Sequence, residues 1–200
     1  MPIKQEKRLF LFPVIILFLL MSGAVFGKTT LLEKVKEKFE KEKSFAVEIV
    51  LSGGRQKGKI YFQSPDFEKI YFGDYAIAVV SDTIWNFNKK IKRLVIQEKD
   101  EDFSPFSIYD ILFKLPGECK YVENKGKGEF TLIPNDEDAL NVKSVKVKVN
   151  KSSLPVFVEV TDLNGKKFSF YLKNYSFGSG YDRSFFNIEL PKGTKIVDLR

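Results

Sequence analysis

Between residues 59 and 97, apolar and polar side chains alternate in short runs, each closed by Gly, Pro, Asp, Asn or Ser. Runs at 59–63, 67–72, 76–80, 84–87 and 91–97 have strand length. The breaks at Ser64 to Asp66, at Gly73 and Asp74, at Ser81 and Asp82 and at Asn88 are turn formers, so the stretch predicts an antiparallel meander. Side chains alternate sides along a strand. Ile60, Phe62, Ile70, Phe72, Leu94 and Ile96 are therefore expected on one face, and Lys59, Gln63, Lys69, Arg93 and Gln97 on the other. A sheet with one greasy face must cover it, with its own chain or with something brought from outside.

The rest of the chain predicts more strands and two helical covers. Thr30 followed by Glu33 has the form of a capping box, and Leu32, Val35 and Phe39 follow at helical spacing, which predicts a helix over 30–43 with one narrow apolar stripe. Further strands are expected at 45–51, 120–123, 129–133, 142–149, 156–161, 167–175 and 187–190, with a last short one after Gly193. Residues 162–165 form a hairpin turn. Residues 103–115, FSPFSIYDILFKL, break the β pattern: Ser104 can cap a helix, Pro105 suits its first turn, and apolar residues run nearly all the way round. Such a helix must be wedged into something, either as permanent core or as a displaceable lid.

The N-terminal residues read as an address. Lys4, Lys7 and Arg8 precede an apolar run over 9–21, broken by Pro13, and small residues follow to Gly27, the pattern of a cleavable signal peptide spanning 1–27. The run is shorter than the roughly 20 residues that span a bilayer. Cleavage leaves 28–200 as a single β domain, and the formal charge of +7 falls to +5 because the leader carries three cations and one acid. The lysines are interleaved with acids, so a solvated surface is expected and no nucleic-acid partner.

Composition removes most chemistry. The chain has no histidine and one cysteine, Cys119, so Ser/His/Asp triads, the usual zinc sites and internal disulfides are excluded. The acidic clusters at 100–102 and 136–138 fall in loops without further polar groups, and no phosphate-cradling or nucleophile motif is present. No catalytic residue, metal or cofactor is expected. What stands out is twenty Phe and eight Tyr, which suit a filled β core or a cavity for flexible apolar chains. Trp85 is either packing or a ligand contact.

These residues resemble the periplasmic outer-membrane lipoprotein carrier family, LolA. GKIYFQSPDFEKIYF resembles the family's strand, Pro turn and strand; VVSDTIWNFN its Trp-bearing hairpin; SPFSIYDIL its lid helix. FTLIP, VTDLNGKK and FNIELPKGTKIVD resemble its later strands and its terminus. The resemblance implies a mostly β fold with a few helices: an incomplete, strongly curved antiparallel β-barrel closed by a helical lid. It also implies a monomeric periplasmic carrier that takes acylated lipoproteins from an inner-membrane ABC transporter to an outer-membrane acceptor, without catalysis. Ser64 stands where the family often has a lid-holding Arg, for which Arg55 or Lys57 could substitute, and Thr83 replaces a hairpin Gly.

On this reading Ile60, Phe62, Ile70, Phe72, Trp85 and Leu94 line the sheet side of an acyl cavity, and Phe106, Ile108, Ile111 and Leu112 the displaceable side. Burying a CH₂ is worth ~0.8 kcal/mol, so a chain of about sixteen carbons prefers a dry site by roughly 12 kcal/mol. A carrier must therefore fit its cargo poorly enough to release it. Two other readings share the pattern: a lipid-sensing or glycolipid-binding periplasmic module on the same scaffold, and a structural envelope domain with a filled core.

Overall fold

A computed structural model describes residues 29–54, 56–63, 67–99, 107–178 and 180–200. The expected leader, Arg55, Ser64, the acidic cluster at 100–102, and the start of the predicted lid including Phe106 lie outside the described residues.

The described residues build one twelve-stranded sheet. A first meander runs through β1 (Ser44–Leu51), β2 (Lys57–Gln63), β3 (Phe67–Phe72), β4 (Tyr75–Val80), β5 (Thr83–Asn88) and β6 (Arg93–Glu98). The chain then crosses one face of the sheet and returns as a second meander of β7 (Cys119–Asn124), β8 (Glu129–Pro134), β9 (Val142–Val149), β10 (Pro155–Asp162) and β11 (Lys167–Gly178). β11 pairs with β1 and joins the halves, and the tail strand β12 (Lys195–Asp198) pairs with β6, giving the order β12-β6-β5-β4-β3-β2-β1-β11-β10-β9-β8-β7. All pairings are antiparallel except that of β12 with β6. The two ends do not meet, so the sheet is an incomplete, curved barrel.

Two pieces of chain cover the inner face. Helix α1 (Leu31–Lys41) starts at Thr30, whose hydroxyl accepts from the Glu33 amide while the Glu33 carboxylate accepts from the Thr30 amide. Both donors would otherwise be orphaned at a helix start. Its stripe of Leu32, Val35 and Phe39 is buried, as the spacing predicts. Glu123 and Tyr121 of β7 hold its first turn: Glu123 Oε2 accepts from the Leu31 amide at 3.0 Å and the Tyr121 hydroxyl from the Leu32 amide at 3.4 Å.

The second cover is residues 107–118, which include the described part of the helix that the sequence predicts over 103–115. It begins with a helical bond from the Ile111 amide to the Ser107 carbonyl, widens over Asp110–Lys114, where the Leu115 amide reaches back to Asp110, and tightens over Leu115–Glu118. Pro116 has no N–H, which prevents regular continuation. A separate short helix, α2 (Glu137–Leu140), lies between β8 and β9.

The tail covers part of the outer face. Expected as a strand, residues 187–190 are irregular. A single tight turn, Arg183–Phe186, precedes them, and together they strap the outer side of β3 and β4. Lys69, itself buried, donates to the Phe185 and Asn187 carbonyls at 2.7 and 2.8 Å and fixes the strap.

Candidate functional site

The inner face is one continuous apolar surface drawn from both meanders. Phe45, Val47 and Ile49 of β1, Ile60 and Phe62 of β2 and Ile70 of β3 join Phe130, Val145, Val158 and Phe170 of the second meander in a single cluster. Phe72 packs against it half-buried. Ile108, Ile111, Leu112 and Leu115 of the crossing segment fill the same cluster from above, beside the stripe of α1.

Seven of the ten sequence-selected residues are thus brought together: Ile60, Phe62, Ile70 and Phe72 on the sheet, with Ile108, Ile111 and Leu112 on the cover. Trp85 and Leu94 are not. Register carries Phe87 opposite Ala76 and Leu94, and Ala76 opposite Tyr71, which places Leu94, Ile96, Trp85 and Phe87 on the outer face. There they form a smaller cluster with Ala76, Tyr71 and Ile188 of the tail. The expected faces of β6 are therefore inverted, with Arg93 and Gln97 on the same side as Phe72. The physical reason is that the tail buries part of the outer face too, so an apolar residue near this edge no longer marks the inner side.

A cavity of about 870 Å³ opens at the rim between the end of α1, the end of β2 and the crossing segment. Phe39, Phe62, Tyr109 and Phe113 form its apolar wall, and Glu40, Glu42, Lys43, Gln63 and Asp182 its polar rim. The volume lies within the range of small-molecule sites, about 300–1,000 Å³. Stacked rings connect the wall to the core: Phe45 on Phe62 at 5.1 Å, Phe62 on Tyr109 at 5.6 Å, and Tyr109 on Phe113 at 5.0 Å. Offset stacks hold by area and quadrupole rather than by directional bonds, so one ring can give way to hydrocarbon without stranding a polar group. Tyr181, whose amide donates to Gln63 Oε1 at 2.5 Å, closes one side.

Beside this wall lies a polar feature on the same face as Ile70 and Phe72. Glu68 is the cross-strand neighbour of Phe62 and faces inward, beneath the start of the crossing segment. It is 7% exposed, and its Oε1 has no hydrogen-bond partner. Burial pushes its carboxyl up to about 8 and the Asp110 charge adds to the rise, while a hydrogen bond with the Ser107 side chain and the charge of Lys99 pull the other way. Ser107 and Asp110 are also buried, and the Ser107 hydroxyl accepts from the Asp110 amide at 3.2 Å. Glu68 and its neighbour Lys69 point to opposite faces, one under the crossing segment and the other under the tail.

Among the described residues no group of acidic or thiol side chains could hold a metal ion, and no helix is long and apolar enough to cross a membrane. Cys119 is half-buried and free, its thiol pushed up to about 11, chiefly by burial.

No protein-family model matches the sequence, and no curated protein matches it. Among solved structures, the chain is similar to an uncharacterized conserved protein from Thermus thermophilus, with a TM-score of 0.54 at 12% identity over 84% of this chain and 96% of that one. It is also similar to a LolA superfamily protein from Nitrosomonas europaea (TM-score 0.43, 12% identity, 78% of this chain and 96% of that one). A DUF1329 family protein from Desulfovibrio piger stands at a TM-score of 0.44 and 13% identity, over 78% of this chain and 95% of that one. The likeness to the Thermus protein is one of fold, an open, curved, mostly β sheet.

Proposed function

We propose that this protein is an exported periplasmic carrier that takes the acyl chains of lipoproteins into the space between its curved sheet and residues 107–118, and moves them from the inner to the outer membrane. The observation that carries the proposal is the stacked aromatic wall of Phe62, Tyr109 and Phe113 beside an 870 Å³ opening, continuous with an apolar face on which Ile108, Ile111 and Leu112 of the crossing segment pack. Ile60, Phe62, Ile70 and Phe72 would form the fixed side, and Ile108, Ile111 and Leu112 the side that moves. The fit is deliberately loose on this reading: side chains of the cover occupy the acyl site when no cargo is present, so loading exchanges one apolar filling for another. Binding of this kind needs no nucleophile, metal or cofactor. Cargo would arrive from an inner-membrane ABC lipoprotein-releasing transporter and leave to an outer-membrane acceptor.

The test is to purify the mature protein from its native envelope and identify by mass spectrometry what accompanies it. An acylated protein supports the carrier, a free lipid or glycolipid supports a sensing or lipid-binding module, and a protein that neither carries nor accepts acyl chains is a structural domain. Depletion should leave lipoproteins in the inner membrane.

A further inference from the structure

We propose that Glu68, together with Ser107 and Asp110 of the crossing segment, is a proton-operated latch that keeps residues 107–118 on the sheet and frees them when Glu68 loses its proton to solvent. The inference rests on the reading of that segment as the movable cover.

The geometry provides three independent supports. Glu68 projects from β3 into the apolar face next to Phe62, where a lone carboxylate is costly. The groups facing it from the cover are a hydroxyl and a second acid, Ser107 and Asp110, both buried, and Asp110 is tied to Lys114 at 3.3 Å. Lys99, in the chain after β6, is the cation whose field reaches Glu68. Finally, Oε1 of Glu68 is left without a partner, which a neutral carboxyl tolerates far better than an ion.

Glu68 and Asp110 are two acids on facing elements, and the Asp110 charge acts on the Glu68 carboxyl. With a proton on Glu68, only Asp110 is charged and its ion pair with Lys114 balances it. When that proton leaves, two like charges share a dry contact, and lifting the cover lets water reach both. The direction follows from linkage. Burial raises the closed-state carboxyl to about 8, above its ordinary 4.5, so closure is fully favoured below the ordinary value and weakens as pH rises toward about 8, with little change beyond. Within that window the opening constant rises by up to about tenfold per pH unit.

The experiment measures amide hydrogen exchange of residues 107–118 in the mature protein at about pH 5.5 and about pH 7.5, corrected for intrinsic rates and expressed as opening constants. Opening should increase up to roughly a hundredfold in the wild type and stay flat in Glu68→Gln, which keeps the size and adds a neutral donor. Asp110→Asn should shift the rise to lower pH, because one charge that raises Glu68 is gone. Asp110→Asn is read on its own if Glu68→Gln fails to fold. A flat wild type, a Glu68→Gln variant with the wild-type slope, or no shift in Asp110→Asn overturns the latch.

An uncharged long-chain fluorescent acyl probe, titrated at both pH values, separates this proposal from the carrier reading. A probe that binds while exchange ignores pH leaves the carrier and removes the latch. Exchange that follows pH while no probe binds leaves the latch and removes the acyl carrier.

Discussion

Leu112→Ala is the most direct test of whether residues 107–118 are a cover or part of a fixed core. Leu112 is fully buried, with Ile108, Ile111 and Leu115 beside it at 2% exposure or less. Burying each of these side chains is worth about 1.5–3 kcal/mol, so the four together favour closure by roughly 6–12 kcal/mol before the ordering of the segment is counted. An acyl chain of about sixteen carbons gains roughly 12 kcal/mol on the same scale. The two fillings are of similar strength, which is what an exchangeable carrier requires. Truncation to Ala removes about 2–5 kcal/mol from the closed state. If closure competes with cargo, that loss reappears as affinity, because the competent open form is more populated. Acyl-probe affinity should rise at least tenfold and level off once the open form predominates. The assay is a fluorescence titration, run alongside denaturant unfolding. If affinity falls or stays the same while global stability drops by the full 2–5 kcal/mol, residues 107–118 are core and the carrier proposal loses its moving part.

Other expectations concern the frame that holds the site. A Cβ on Gly58 would lie 2.4 Å from the Tyr71 carbonyl oxygen and 2.6 Å from Phe72 Cδ2, so Gly58→Ala should lower stability by about 1–3 kcal/mol, seen as a lower denaturant midpoint. Lys69→Met removes the donors to two tail carbonyls and the ammonium that lies 5.3 Å from the Tyr71 ring centroid. It should cost about 1.5–3 kcal/mol and raise hydrogen exchange in residues 183–190 without changing 107–118. Thr30→Ala removes one half of the capping box and should cost about 1 kcal/mol, with exchange rising first at the start of α1.

The sequence made local structure legible wherever one face alone is buried. In β9, Val145 and Val147 are fully buried while Lys146 and Lys148 reach the other side, as alternation requires. The turn at 162–165 was readable because its chemistry is local: the Asp162 side chain accepts from the Asn164 and Lys166 amides, and Gly165 adopts the positive φ of 79°. Legibility failed at β6, whose apolar face of Leu94 and Ile96 packs beneath the tail, so that only the register of Phe87 against Leu94 decides which side is inner. It failed again in the tail. Parallel pairing of β12 with β6 depends on residues 180–194 returning along the sheet, and short-range pattern carries no trace of that path.

The same blindness hid the most informative part of the site. Alternation puts Glu68 on the side of Ile70 and Phe72 and Lys69 on the other, but it does not say that both sides are covered. One side chain then lies beneath the crossing segment and the other beneath the tail, so β3 is the strand over which the two covers overlap. Lys69 is satisfied there by two carbonyls and the strap it holds can be static. Glu68 has an oxygen left over and a second acid facing it from the cover. A static seal would be better served by leucine, since an isosteric apolar group at a dry contact avoids the desolvation of a carboxyl. Retaining an acid beneath a cover packed by Ile108, Ile111 and Leu112 makes sense if that cover has to leave, and the protein then carries near the mouth of its own cavity the group whose ionisation weakens the seal.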